Sequence, residues 1–122
     1  MFDISNNGIV LINRGDTFTL NIPINVSNVI EPVYYTLTEH DRVYFALMEP
    51  NQPFEYALIR KVFTEEDQDE NDCVHMNFST EMTEFLVQGN YYYMVKLVRN
   101  FDDEEHMLVD TIVPKTKFVI LD

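Results

Sequence analysis

The chain has 122 residues, 46% hydrophobic and 13% aromatic, with three glycines and five prolines, which fits one packed domain and excludes low-complexity disorder. Its 21 acids against 8 Lys and Arg give a formal net charge of −13, which argues against a nucleic-acid backbone or an anionic membrane as partner. Cys73 is the single cysteine, so no intramolecular disulfide forms, stability must come from core packing, and a reducing compartment is expected.

The first residues, Met-Phe-Asp-Ile-Ser-Asn-Asn, carry neither a basic stretch nor a long apolar run. No signal peptide is expected, nothing is expected to have been cleaved from the front, and both ends are expected to be held down. No run approaches the length of a transmembrane helix. Gly8 to Ile12 is a short apolar strand, closed by an Asn13-Arg14-Gly15-Asp16 turn. Arg-Gly-Asp is a tripeptide that integrins recognise, but Gly-Asp between two strands is ordinary turn chemistry. Thr17 to Val26 alternates, with Phe18, Leu20, Ile22, Ile24 and Val26 on one side, as a half-buried antiparallel strand does. Pro23 cannot donate to a ladder, so this strand lies at an edge or carries a bulge. The sequons Asn25-Val26-Ser27 and Asn77-Phe78-Ser79 are discounted without a secretion signal.

Asn28 to His40 is a connection with a turn at Glu31-Pro32 and a short extended piece at Val33 to Leu37. Arg42 to Met48 is apolar on both faces, Val43, Phe45 and Leu47 against Tyr44, Ala46 and Met48, so it is central or covered outside. Glu49 to Pro53 breaks it, and Tyr56 to Phe63 returns as a strand. Thr64 to Asp72 is a solvated acidic loop tip. Asp67, Asp69 and Asn71 match the first EF-hand spacings, but Asp72 replaces the required glycine and Phe78 the bidentate glutamate. The EF-hand fails; a looser calcium site in 64–72 stays open.

Cys73 to Ser79 alternates again with Val74, Met76 and Phe78 inward, and Glu81 to Leu86 makes one helical turn between sheets. Gly89 to Leu97 is the strongest strand, Tyr91, Tyr93, Val95 and Leu97 on one face and Tyr92, Met94, Lys96 and Val98 on the other. Leu86 to Tyr91 has the shape of a tyrosine corner, in which the hydroxyl folds back onto the preceding loop. An acidic turn at Asn100 to His106 follows, then a strand at Met107 to Val113, a break or bend at Pro114, and a last strand at Lys117 to Leu121. The count is about seven to nine strands, so the expected fold is all-β: an immunoglobulin-like antiparallel sandwich over residues 1–122.

Chemistry is sparse. Cys73 and His75 share a strand face, but nothing in so acidic a chain lowers the thiol pKa, and no orienting group is marked. His40, His75 and His106 lack zinc spacing, and no phosphate loop exists. No enzyme, cofactor or metal is expected. The two-faced strands point to a covered outer face, with Tyr44, Met48, Tyr92 and Met94 as the candidate protein interface. The alternative is a carbohydrate-binding or adhesion module using exposed tyrosines, drawn from Tyr34, Tyr35, Tyr44, Tyr56 and Tyr91 to Tyr93.

Several blocks sharpen this: Asn13 to Thr17, Asp41 to Pro50, Ala57 to Lys61, Gly89 to Leu97 and Val109 to Phe118. Together they resemble the immunoglobulin-like N-terminal domain of the baseplate upper protein of tailed bacteriophages, and short phage proteins on that plan. The match spans most of the chain and consists of strand and turn signatures. Against the multidomain protein, the expected departure is that the helical and receptor-binding extension does not follow Asp122. The resemblance implies a virion structural or adaptor module of tail, baseplate, neck or head, made in the host bacterial cytoplasm and docking to other virion proteins or to copies of itself. It carries over no catalytic residue.

Overall fold

A computed structural model describes residues 8–27, 30–84 and 86–122, and the backbone of 2–4. Part of the expected N-terminal anchoring, the first residues of the 28–40 connection, and Phe85 in the expected helical turn lie outside the described residues. Among the described residues eight strands follow one another: β1 (Phe2–Ile4), β2 (Val10–Asn13), β3 (Phe18–Pro23), β4 (Arg42–Met48), β5 (Ile59–Phe63), β6 (Cys73–Phe78), β7 (Gly89–Arg99) and β8 (Leu108–Leu121). A single α-helical turn, α1 (Thr80–Glu84), lies between β6 and β7.

Six strands form one sheet in the order β1-β2-β8-β7-β4-β5, and β3 pairs with β6 in a second, two-stranded sheet. The expected all-antiparallel pairing is corrected at one place. β2 runs parallel to β8, Val10 opposite Phe118 through Asn13 opposite Leu121, so the large sheet is mixed. A parallel pair needs a long crossover, and here nearly the whole chain supplies it. Pro23 ends β3, which pairs on one side only, so its missing N–H costs no ladder bond.

Alternation places the core. β3 buries Phe18, Leu20 and Ile22 and exposes the residues between them. From the large sheet Val43, Phe45, Leu47, Tyr91, Tyr93, Val95, Leu97, Phe118 and Ile120 meet Val74, Met76 and Phe78 of β6. The rings interlock: Phe45 lies 4.7 Å from Phe78, which stacks on Phe18 at 4.5 Å, and Phe18 meets Phe118 at 5.5 Å. Such pairs add about 1 kcal/mol each beyond their buried area. Tyr91 donates its hydroxyl to the Val87 carbonyl at 2.8 Å, the fold-back its sequence shape suggested. Tyr93 reaches the Gly8 carbonyl and so ties β7 to the entry of β2.

Three boundaries differ from expectation. Residues 108–121 form one strand, not two, because register shifts absorb the proline. Tyr93 pairs with Thr116 and Val95 with Val113, so Pro114 and Lys115 bulge opposite Met94, and Ile112 forms a second irregularity. Phe54–Tyr56 is a 3-10 turn, and the returning strand begins only at Ile59. The acidic 64–72 segment is not merely a solvated tip. Thr64 and Asp67 cap a short 3-10 turn reciprocally, and Gln68 turns inward to the Leu37 amide and the Tyr35 carbonyl.

Candidate protein-docking face

The outer face of the large sheet divides into a closed half and an open half. β4 and β7 are paired from Arg42 opposite Val98 to Met48 opposite Tyr92, which sets Tyr44, Ala46, Met48, Tyr92, Met94 and Lys96 on one surface. Residues 49–58 fold back over the Met48 end. There the Gln52 carbonyl accepts from Lys115 Nζ at 3.4 Å, and the Leu58 amide donates to the Leu47 carbonyl at 2.8 Å. Ala46 and Met48 are consequently buried. This corrects the candidate interface: Met48 is covered by its own chain and is not available to a partner. Tyr92 and Met94 are half-buried, with Lys115 Nζ 5.4 Å from the Tyr92 ring. Tyr44 is half-buried at the uncovered end.

That open end is a shallow groove of about 350 Å³. Its floor is Tyr44, Val98 and Val109; Phe54, Arg60 and Lys96 form one wall, and Phe101 and Met107 the rim. Val62 and Val109 are each more than half exposed on this face, apolar side chains that the described residues do not cover. Arg42 lies over the Phe101 ring at 4.0 Å and donates to the Glu39 and Asp41 carbonyls, so it is fixed in place.

Two cations meet at one aromatic ring in the groove. Arg60 on β5 and Lys96 on β7 flank β4, and both address the ring of Phe54, with Arg60 Cζ at 5.6 Å and Lys96 Nζ at 4.8 Å from its centroid. Among the described residues neither cation has a carboxylate within 4.0 Å, whereas Arg14 pairs with Asp122 and Arg99 with Asp110.

The other sequence candidates are used by the fold. In the Arg-Gly-Asp turn the Gly15 amide donates to Thr83 Oγ1 at 3.0 Å, and Arg14 is held by Asp122. Asp69 accepts from the Cys73 and Asn71 amides and meets His75 Nε2 at 2.8 Å. The Cys73 amide above all holds the Asp69 carboxyl below the usual range, while burial and then Asp69 push the Cys73 thiol up, away from the reactive thiolate. His40 and Asp102 join two loops at 2.9 Å; the hydrogen bond raises the imidazole pKa and lowers the carboxyl. Among the described residues no three His, Cys, Asp or Glu side chains converge as metal ligands would, and no helix is long and apolar enough to cross a membrane.

The tyrosines do not share one surface. Tyr91 and Tyr93 are core residues, and Tyr34 and Tyr56 are exposed on separate segments. Tyr35 donates to Asp41 Oδ2 at 2.7 Å, and burial with that bond pushes its pKa up to about 12. Sequence reasoning missed Asp41, which is 1% exposed. Its Oδ2 also accepts from the Thr38 amide and hydroxyl, and its Oδ1 from the Asn100 amide, locking the approach to β4. The Thr38-x-x-Asp41 spacing was the available signal. No protein-family model, curated protein or solved structure matches the chain.

Proposed function

We propose that this chain is an immunoglobulin-like β-sandwich domain serving as a non-enzymatic structural or adaptor protein of a tailed-phage virion, acting through protein–protein contacts. Three features support the fold reading: β2 lies parallel to β8 at one side of the antiparallel run β8-β7-β4-β5, β3 and β6 form the opposing layer, and Tyr91 makes the corner contact before the long β7. The blocks that resemble the baseplate domain fall on these strands and turns. The observation that carries the protein-contact reading is the open half of the outer face, where exposed Val109, Val62 and Met107 surround half-buried Tyr44 and Val98. Exposed apolar side chains grouped in this way mark interaction surfaces.

The test is to induce the encoding host, band the released particles on a density gradient, and probe the fractions with an antibody to this chain. Co-banding with particles through a high-salt wash is the expected result. Recovery only among unassembled proteins removes the virion assignment.

A further inference from the structure

We propose that the groove between the Phe54 turn and the β7–β8 end is a docking site for an acidic, apolar-flanked segment of a partner protein. A carboxylate of that segment sits between Arg60 and Lys96, and a neighbouring apolar side chain rests on Tyr44, Val98 and Val109. The inference builds on the protein-contact reading and gives the partner its chemistry.

The argument is charge complementarity. The chain carries 21 acids against 8 Lys and Arg, so a cluster of two cations on one ring is a local inversion of its overall charge. Arg60 and Lys96 are brought to one ring, and among the described residues neither has a carboxylate inside 4.0 Å or a side-chain hydrogen bond to relieve it. Two like charges sharing one aromatic ring repel each other, and the cation–π attraction of Phe54 offsets this only in part. An anion between them removes the repulsion and adds two charge-assisted contacts. The rest of the lining is apolar, so a free inorganic anion leaves that surface wet, whereas a segment alternating acidic and apolar residues covers it. At physiological salt the screening length is about 8 Å, so the distant acids of the chain do little to repel a segment seated here, while the close pairs persist.

The experiment uses the intact, isotope-labelled chain and two synthetic probes, the capped hexapeptide Glu-Phe-Glu-Leu-Glu-Val and its glutamine counterpart, at 0.15 M salt. The acidic peptide is expected to give saturable amide shifts at Tyr44, Lys96, Val98 and Val109, and the glutamine peptide binding at least about five-fold weaker. Arg60→Gln and Lys96→Gln, both surface changes, should each weaken the acidic peptide by about five-fold with the rest of the spectrum unchanged. Tyr44→Ala should weaken it without changing the ratio between the two peptides. Equal binding of both peptides, shifts confined to other surfaces, no saturable shift, or the same shifts from sodium acetate alone would each overturn the proposal. These outcomes are independent of whether the chain co-bands with particles, so loss of this site and loss of the virion reading are told apart.

Discussion

The two faces of β4 and β7 are built from the same strands yet do opposite things. Inward, Phe45, Tyr93, Val95 and Leu97 are sealed against the two-stranded sheet. Outward, the surface is finished at one end by the chain's own 49–58 segment and left open at the other around Tyr44 and Val98. A period of two makes both faces apolar in sequence, so alternation alone does not tell a core from a docking surface. What separates them is which side has enough chain returning over it.

That contrast can be broken in graded steps. Phe45→Ala on the inner face should cost the most, about 4 kcal/mol, because it strips a ring from contact with Phe78 and Tyr93; denaturant unfolding would measure it. Asp41→Ala should follow at about 3 kcal/mol, since it leaves the Thr38 and Asn100 amides and the Tyr35 hydroxyl without their acceptor in a buried place. A loss near zero would mean that the loops at this end re-pair or open to water. Met48→Ala should cost about 2 kcal/mol, which distinguishes the closed half of the outer face from the open one.

The His40–Asp102 contact should matter less, and in a pH-dependent way. A raised histidine pKa contributes stability that is present below its ordinary value of 6.5 and is lost as pH rises through the folded value. The lowered Asp102 pKa contributes above its ordinary 3.8 and is lost as pH falls through the folded value. Asp102→Asn should therefore lower the melting temperature more near pH 5.5 than at pH 8, and return the His40 pKa toward ordinary by NMR titration. The smallest change is expected for Val109→Ser on the open half, within about 0.5 kcal/mol. A large loss there would show that this end is core after all.

Much of the fold was legible because it rests on alternation. The inward sets of β3, β4, β6 and β7 are the ones their sequences present, and the Leu86–Tyr91 spacing announced its hydroxyl bond. Illegible parts depend on what lies across space. The parallel partner of β2 is 108 residues away at Val10 and Phe118, and no local pattern signals it. Pro114 reads as a stop, yet a bulge lets one strand run through it, since the residue has only to be left out of the ladder. Met48 resembles Tyr44 and Met94 in spacing, and only the returning loop separates its fate from theirs. The groove's cations escaped notice because Arg60 and Lys96 are 36 residues apart and meet only through Phe54.

The parallel seam between β2 and β8 also has a mechanical meaning. Both strands point the same way, so a load drawn between the start of β2 and the end of β8 acts along the strands and opposes them in shear. The four paired positions from Val10–Phe118 to Asn13–Leu121 must then yield together, with the Arg14 amide bond to the Leu121 carbonyl sharing the load. An antiparallel seam pulled the same way would unzip one bond at a time. A chain tethered at those two points is thus set to resist tension, a property that its thermal stability alone would not reveal.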